Sequence, residues 1–445
     1  MTPPMIIAFF AMMAFNLVDT WYVSRLGTVP LAAMGFTFPI MMVLHSLAMG
    51  MGIGTSSCVS RTIGMGDRRR VRHLVSYAVL LSCLIFIILS MVAWPWMPRI
   101  ISILGASGEA RDLAVSYMRA LLPFMPLAIT PMITNNAIRA TGNTLHPSLV
   151  LAGASLVNAG LDPLLIFGWG PVPAMGVAGA ALATGLSRVF ATVWALWISH
   201  RHFDLLTLEW TGRRELFRSW AAVLHVAIPS SATNLLLPIT MGIVTRMIAG
   251  YGEYAVAATA AGQRIEHFAY VIPIAMGTVL VPLLGQNWGA NRIDRVWEAW
   301  RKTNIYGITY SVCIFALSLI ASRPVASCFS DNPDVVKLTS SYIRVLLGGA
   351  ILVHSAVHAG FAFNAIGKPM RASLLMVIRL VGLVIPLAWI GSELWGVTGV
   401  YAGISFAHVL TGTAALFWFP AVLKGAKRHP GQPCTEQPEC TGLEP

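Results

Sequence analysis

Long apolar stretches separated by short polar segments recur along the whole chain. Runs such as 74–96, 149–167 and 305–321 have about the 20 residues that an α-helix needs to cross a bilayer. Glycine and proline lie at the joints between these runs, where helices commonly end. The pattern predicts twelve transmembrane helices near 3–25, 30–60, 73–97, 111–138, 147–169, 174–199, 220–249, 255–286, 303–322, 336–364, 370–392 and 396–423.

The composition places the chain in the membrane. Hydrophobic residues make up 56% of the sequence, charged residues only 11%, and the mean hydropathy is +0.71. Soluble domains carry about 25% charged residues. No cleavable signal peptide is visible, so we expect the first helix to act as its own insertion signal. The fold class predicted is an all-α integral membrane protein.

The second half of the sequence repeats the first at a spacing of 225 residues, which slips to 220 late in the repeat. A duplicated six-helix unit predicts two pseudo-symmetric lobes with the same orientation. Paired lobes of this kind place a substrate path at their interface, so the repeat indicates a transporter. The matched pairs are Gly27 with Gly252, Gly64 with Gly289, Gly142 with Gly367, 116–122 with 341–347, and Gly176 with Gly396.

The repeat also sets the predicted domains. These are an N-terminal lobe over 1–199, a cytoplasmic linker over 200–219, a C-terminal lobe over 220–424 and a disordered tail over 425–445. The linker holds the most polar run of the chain. The tail is rich in proline, glycine and glutamate, a composition typical of disorder.

The net charge of +12 does not indicate a nucleic-acid partner, because the basic residues form no single stripe. Nineteen Lys and Arg residues fall in one alternating set of loops and six in the other. The positive-inside rule therefore predicts that both termini and the linker are cytoplasmic, in the inner (plasma) membrane. The six cysteines show no metal or disulfide spacing, and we expect no cofactor.

Three carboxylates fall inside predicted helices: Asp19, Asp162 and Glu266. Ionisable residues within a span are costly and usually functional. Asn158 and Asp162 are four residues apart and share one helix face. Together with Asp19 they can hold a proton, since two close carboxylates cannot both ionise cheaply in a low dielectric. Oxygen-rich surroundings that include Thr184 suit sodium equally well, and the sequence leaves both ions open.

Each aspartate also has a structural interpretation. Asp19 can cap the outer end of the first helix, and Asp162 can be a polar group at a kink next to Pro163. The repeat argues for function, because the counterpart of Asp19 is Val244 and the counterpart of Asp162 falls within 382–387, which holds no acid. An acidic site in only one copy of a duplicated frame indicates a specialised coupling site.

Candidates for the substrate cleft are Tyr117, Phe36, Met41, Gln263 and Glu266. Methionine and aromatic side chains suit apolar, cationic molecules, although on a lipid-facing helix they carry no such meaning. Tyr117 recurs in the repeat, so a packing role stays open beside a site role. Glu266 can line the cleft or form a buried ion pair with a nearby basic residue.

Two histidines, His354 and His358, have the i, i+4 spacing of metal ligands. No third ligand accompanies them in the sequence, and a single helix face offers only these two. Helix packing or a wet cavity explains the pair better, so no metal site is predicted.

Several segments resemble the MATE (multidrug and toxic compound extrusion) family, over about residues 4–423. The placement of the acids is similar to the DNA-damage-inducible (DinF-like) branch. Each motif alone is weak, but their order and spacing are specific. The segments are Val18-Asp19-Thr20, 25–33, 136–144, 158–168, 176–184 and 285–290.

The resemblance implies a twelve-helix, two-lobed antiporter and not an enzyme. Such a protein exports amphipathic, often cationic compounds as a monomer in the lipid bilayer, driven by inward flow of protons or sodium. Carried over by motif, Asp19, Asn158, Asp162 and Thr184 match the N-lobe cation site, with Tyr117 beside it. Pro4 matches an early proline associated with bending of the first helix.

Two rival functions remain open. A lipid-linked saccharide flippase of the same superfamily carries a pyrophosphate cargo and needs a basic site in midmembrane, for which only Arg264 and Arg379 are candidates. A receptor or membrane-embedded enzyme without transport needs a nucleophile constellation, a metal motif or a sizeable soluble domain. The sequence shows none of these.

Overall fold

The structure is a computed structural model that describes residues 21–23, 25–169 and 173–426. Helices account for nearly all of this part of the chain, which confirms the all-α prediction. The helices are α1 (Thr28–Gly64), α2 (Arg68–Ile103), α3 (Gly108–Leu121), α4 (Met125–Ala140), α5 (Leu145–Ile166), α6 (Gly176–Arg201), α7 (Arg213–Ala249), α8 (Glu253–Gly289), α9 (Ile293–Ser327), α10 (Pro333–Ala365), α11 (Pro369–Val377) and α12 (Ile385–Ala426).

Ten stretches of the described residues are long and apolar enough to cross a membrane, and each matches one or two predicted spans. The span predicted at 111–138 consists of α3 and α4, joined by one 3₁₀ turn over Leu122–Phe124. Proline at 123 and 126 lacks the backbone N–H that a regular α-helix would use there.

The last two predicted spans run together as α11, a π-helical turn over Ile378–Val384, and α12. A break inside α12 separates them, because Trp395 and Gly396 leave the helical backbone conformation. Gly396 has φ 58° and ψ −141°, a conformation that only glycine adopts readily. The predicted boundary between the two spans falls at this break.

Several helices extend well beyond the predicted spans. The α2 helix covers Arg68–Ile103 where 73–97 was predicted, and α9 covers Ile293–Ser327 where 303–322 was predicted. Hydropathy marks only the apolar middle of such a helix, whereas the helix continues through charged residues until it is capped. At the start of α2 the Asp67 side chain accepts a hydrogen bond from the Arg70 backbone N–H at 2.9 Å.

The chain divides into two compact units, Met1–Ala227 and Ile228–Pro445. In the first, α1 to α6 and the first part of α7 surround one continuous apolar core. In the second, α8 to α12 and the rest of α7 enclose three smaller apolar clusters. The division falls inside α7.

The segment between α6 and α7 is held against α2 within the first unit. The Tyr77 hydroxyl lies 2.8 Å from the Thr211 hydroxyl and accepts from the Thr211 backbone N–H at 3.2 Å. The Thr207 N–H donates to the Ser76 hydroxyl at 2.9 Å. Exposed ion pairs flank these bonds, Arg72 with Asp204 at 3.5 Å among them. The polar segment is therefore docked along the end of α2 and does not hang free.

Candidate functional site

A buried polar pair lies on α5 in the first unit. The Asn158 side-chain amide donates to Oδ1 of Asp162 at 3.1 Å. Asn158 is 2% exposed and Asp162 is fully buried, within a span of otherwise apolar residues. The i, i+4 spacing brings the two groups to one helix face, as predicted. A carboxylate and a carboxamide oxygen at this depth can hold a proton or a small cation.

The neighbouring α6 helix packs closely on α5. A side chain at Gly179 would collide with the backbone carbonyl of Leu165, so glycine permits this approach. Further along α6 lies Thr184, which is half-buried and whose carbonyl accepts from the Ser187 hydroxyl at 2.7 Å. The close packing sets Thr184 on the helix adjacent to the Asn158–Asp162 pair.

Asp19 of the predicted cation site and Pro4 of the predicted bend in the first helix lie outside the described residues. The structure therefore describes three of the four predicted cation ligands, all of which belong to α5 and α6.

An arginine that the sequence reading overlooked lies near this region. Arg188 is half-buried in the middle of the α6 span, one turn beyond Thr184 on the same face. It interacts electrostatically with Tyr117 on α3 and with His45 on α1. The sequence does carry a signal for it, because Arg188 is a charged residue inside an apolar run. Tyr117, 6% exposed, thus faces a cation within the first unit.

In the second unit the third membrane carboxylate has a defined partner. The Tyr342 hydroxyl on α10 donates to the Glu266 carboxylate on α8 at 2.5 Å. Tyr270, one turn along α8, interacts electrostatically with the same carboxylate. Arg264 is exposed and forms no ion pair with Glu266 in the described structure. Of the two predicted interpretations of Glu266, the buried ion pair is therefore not what the structure contains.

Aromatic packing fixes the position of Tyr342. Its ring lies edge-on to Tyr401 of α12, with centroids 4.9 Å apart, and the Tyr401 hydroxyl is 2.6 Å from the Thr259 hydroxyl. A side chain at Gly262 would collide with the Tyr342 ring. The duplicated tyrosines thus differ in partner, because Tyr342 donates to a carboxylate and Tyr117 interacts with an arginine.

The other predicted cleft residues have less distinctive surroundings. Phe36 and Met41 on α1 are half-buried and pack against the apolar core of the first unit. Gln263 on α8 is half-buried, and its backbone carbonyl lies 2.9 Å from Nδ1 of His267.

His354 and His358, which are spaced i, i+4 on α10, form hydrogen bonds to the neighbouring helices, as expected for a role in helix packing. His354 Nδ1 lies 2.9 Å from the Ser311 hydroxyl on α9, and His358 Nε2 donates to the Pro273 carbonyl on α8 at 3.1 Å. Within the described ranges no group of three His, Cys, Asp or Glu residues could hold a metal ion.

The amino-acid sequence matches one protein family and several known proteins over most of its length. The sequence profile of the MatE family matches residues 4–164 and 229–390, one stretch in each half. The FAD transporter of Shewanella oneidensis is 31% identical over 420 residues, which cover 94% of this chain and 92% of that protein. The multidrug export protein MepA of Staphylococcus aureus is 24% identical over 418 residues, covering 93% and 90% of the two chains.

The fold of the chain also matches that of a solved structure. The crystal structure of the Vibrio cholerae MATE transporter VcmN in its bent form superposes with a TM-score of 0.89 at 26% identity, and the match covers 95% of each chain. This likeness confirms the predicted fold of twelve transmembrane helices in two lobes.

Proposed function

The chain belongs to the MATE family of membrane transporters, which are not enzymes, and from that premise we propose that it is a cation-coupled antiporter. It exports amphipathic small molecules across the inner membrane as a monomer, with both termini in the cytoplasm. The single observation that carries the coupling is the buried Asn158–Asp162 pair on α5. Proton is the first choice of coupling ion and sodium the second.

A buried carboxylate with one carboxamide donor can act as the coupling group in a simple way. When Asp162 binds a proton or sodium ion, its charge is neutralised, and the cost of keeping that charge in a low dielectric disappears. The cation then favours whichever conformation of the first unit binds it more tightly. Cargo that prefers the cation-free conformation is released as the cation enters. In this proposal Asp19 contributes the second carboxylate and Thr184 a further oxygen.

The cargo proposed first is amphipathic and often cationic. In the second unit Glu266 supplies a midmembrane carboxylate among aromatic rings, a combination that attracts organic cations. The multidrug export protein to which the chain is similar supports the same class of cargo.

A second candidate cargo is a dinucleotide such as FAD, and one observation favours it. Two arginines, Arg188 in the first unit and Arg379 in the second, lie inside membrane spans. Buried guanidinium groups suit a pyrophosphate. The similarity to the FAD transporter of Shewanella oneidensis points the same way. A lipid-linked saccharide also carries pyrophosphate, so the arginines support that rival equally.

Transport by everted membrane vesicles tests the coupling. Vesicles that contain the protein should accumulate rhodamine 6G, a cationic dye, when an opposing proton or sodium gradient is imposed. Asp162→Asn and Asp19→Asn should each abolish gradient-driven accumulation while the amount of protein in the membrane stays unchanged.

The matched control is Asp112→Asn, which neutralises an exposed aspartate of α3 in the same unit and should transport normally. Normal gradient-driven uptake by the Asp162→Asn protein would refute the proposal. Stimulation by sodium alone, without a pH gradient, would assign sodium as the coupling ion.

A further inference from the structure

The apolar runs of α2 and α7 begin at the same level in the first unit. The run of α2 begins at Leu74, and the span predicted in α7 begins at Trp220. The Trp220 indole N–H donates to the Tyr77 carbonyl at 3.0 Å, which brings the two starting points together. Tyr77 lies nine residues after Arg68, the first residue of α2, or about 13 Å along the helix axis. Because the apolar runs of membrane helices lie in the hydrocarbon core, this level is the membrane boundary, and the arginine-rich start of α2 extends beyond it.

The segment between α6 and α7 is held at this boundary. Its Thr207 backbone N–H donates to the Ser76 hydroxyl, and its Thr211 backbone N–H donates to the Tyr77 hydroxyl. The ring of Trp210 lies edge-on to the Tyr77 ring, with centroids 6.2 Å apart. Side chains that point outward from this segment therefore lie at the depth of the lipid headgroups.

Three large apolar side chains are exposed at this depth, although the backbone that carries them is docked. Leu208 is fully exposed, Trp210 is 62% exposed, and Phe217 in the first turns of α7 is 60% exposed. The Phe217 ring lies edge-on to Trp220, with centroids 5.7 Å apart. Apolar and aromatic side chains at the membrane boundary are typical of anchors that enter the region between headgroups and acyl chains.

The charges around these apolar side chains leave a surplus of arginine. Every acid of the segment and of the first turn of α7 pairs with an arginine of α2. The pairs are Arg72 with Asp204 at 3.5 Å, Arg69 with Glu209 at 3.8 Å and Arg70 with Glu215 at 3.9 Å. Within the described ranges Arg213, Arg214 and Arg218 are exposed and form no salt bridge. Three guanidinium groups beside apolar anchors are complementary to anionic lipid headgroups.

We propose that the segment between α6 and α7, together with the first turns of α7, is a docking surface for an anionic phospholipid. The three arginines bind the headgroup phosphate, and the three exposed apolar side chains enter the boundary between headgroups and acyl chains. The lipid belongs to the leaflet that the segment faces, which is the cytoplasmic one in the proposed orientation. It holds the start of α7, the helix that continues from the first unit into the second. The proposal does not depend on which ion or cargo the protein carries.

Native mass spectrometry of the purified protein in detergent tests the proposal, because it resolves each bound lipid by its mass. The probes are phosphatidylglycerol and phosphatidylcholine with the same acyl chains. The native protein should bind phosphatidylglycerol about tenfold more tightly, and the combined change Arg213→Gln, Arg214→Gln and Arg218→Gln should abolish that preference. Leu208→Ser, at a fully exposed side chain, should weaken the binding of both lipids about threefold and keep the preference.

The matched control removes the same charge from three exposed arginines around the start of α9, with Arg292→Gln, Arg295→Gln and Arg301→Gln. It should keep the preference for phosphatidylglycerol. An equal loss of preference in this control would overturn the proposal, because the lipid would then respond only to the net charge of the protein. The absence of any preference in the native protein would overturn it as well.

The same experiment distinguishes a lipid from the other possible occupants of this surface. Glycerol phosphate carries the charge of the headgroup without acyl chains, and it should not displace phosphatidylglycerol at equal concentration. Displacement would contradict the proposal, since the occupant would then be a soluble anion. A dimer that disappears in the triple-arginine variant while phosphatidylglycerol binding is unchanged would contradict it too, because a second copy of the chain would then cover the surface.

Discussion

The hydrogen bond between Asn158 and Asp162 leads to a prediction about the pH dependence of transport. Asn158→Leu keeps the approximate size of the side chain but removes the donor that lies 3.1 Å from the Asp162 carboxylate. Neither residue has appreciable access to solvent, so water cannot replace the lost bond. The donor stabilises the ionised carboxylate more than the protonated one, because a hydrogen bond to a charged group contributes about 1.5–3 kcal/mol.

The direction in which the pH midpoint of transport moves depends on which protonation state of Asp162 loses more stabilisation. Without the donor, ionised Asp162 is destabilised relative to its protonated form, so the proton is released only at higher pH. At about 1.4 kcal/mol for each pH unit, the midpoint of proton-driven transport should rise by about one to two units. If sodium is the coupling ion, its affinity should instead fall about tenfold or more, because leucine also removes the carboxamide oxygen that the proposal assigns to the ion.

The assay is the pH dependence of rhodamine 6G efflux from proteoliposomes with the gradient held constant. Ser155→Ala is the matched control, because Ser155 lies one turn earlier on α5 and donates only to the Leu151 carbonyl, at 3.0 Å. The control should keep the native midpoint. A lower maximal rate for Asn158→Leu with the midpoint unchanged would refute the reasoning, since it would make the residue structural.

Three further predictions follow from other contacts. Glu266→Gln removes the carboxylate that accepts from Tyr342, so the affinity for rhodamine 6G, measured by fluorescence anisotropy, should fall about threefold, and an unchanged affinity would argue against a cation-attracting role. Gly179→Ala should lower the melting temperature in detergent by an amount equivalent to about 1–3 kcal/mol through overpacking. Gly160→Ala, at a glycine of α5 with open space around it, should not lower it. Tyr77→Phe loses its bonds to Thr211, worth about 1 kcal/mol, so chymotrypsin, which cleaves after aromatic residues such as Phe203 and Trp210, should cut the segment between α6 and α7 about fivefold faster. Equal cleavage rates would contradict the docked position of that segment.

The sequence was sufficient for features that depend on local pattern. The apolar runs located the spans, because an α-helix in a bilayer must satisfy its backbone internally over a fixed length. The i, i+4 spacing placed Asn158 and Asp162 on one face, and the structure adds only the bond between them. The true ends of α2 and α9 were missed, since hydropathy does not register the charged turns beyond the bilayer.

Features that depend on tertiary packing could not be predicted in this way. Tyr342 and Glu266 are 76 residues apart, and only the packing of α8 against α10 makes them partners. The π turn over Ile378–Val384 has no distinctive composition, so the sequence did not predict it. Arg188 is different, because a charge within an apolar run is visible in the sequence itself.

The central claim is that movement of a cation through Asp162 is tied to movement of the cargo. The most direct measurement uses proteoliposomes without any ion gradient, in which an imposed gradient of rhodamine 6G drives the exchange. A trapped pH indicator or a sodium-sensitive dye then reports the cation that moves in the opposite direction. The native protein should show this counterflow, and the Asp162→Asn protein should bind rhodamine 6G but show none. Equal counterflow in both proteins, or none in the native protein, would contradict the account.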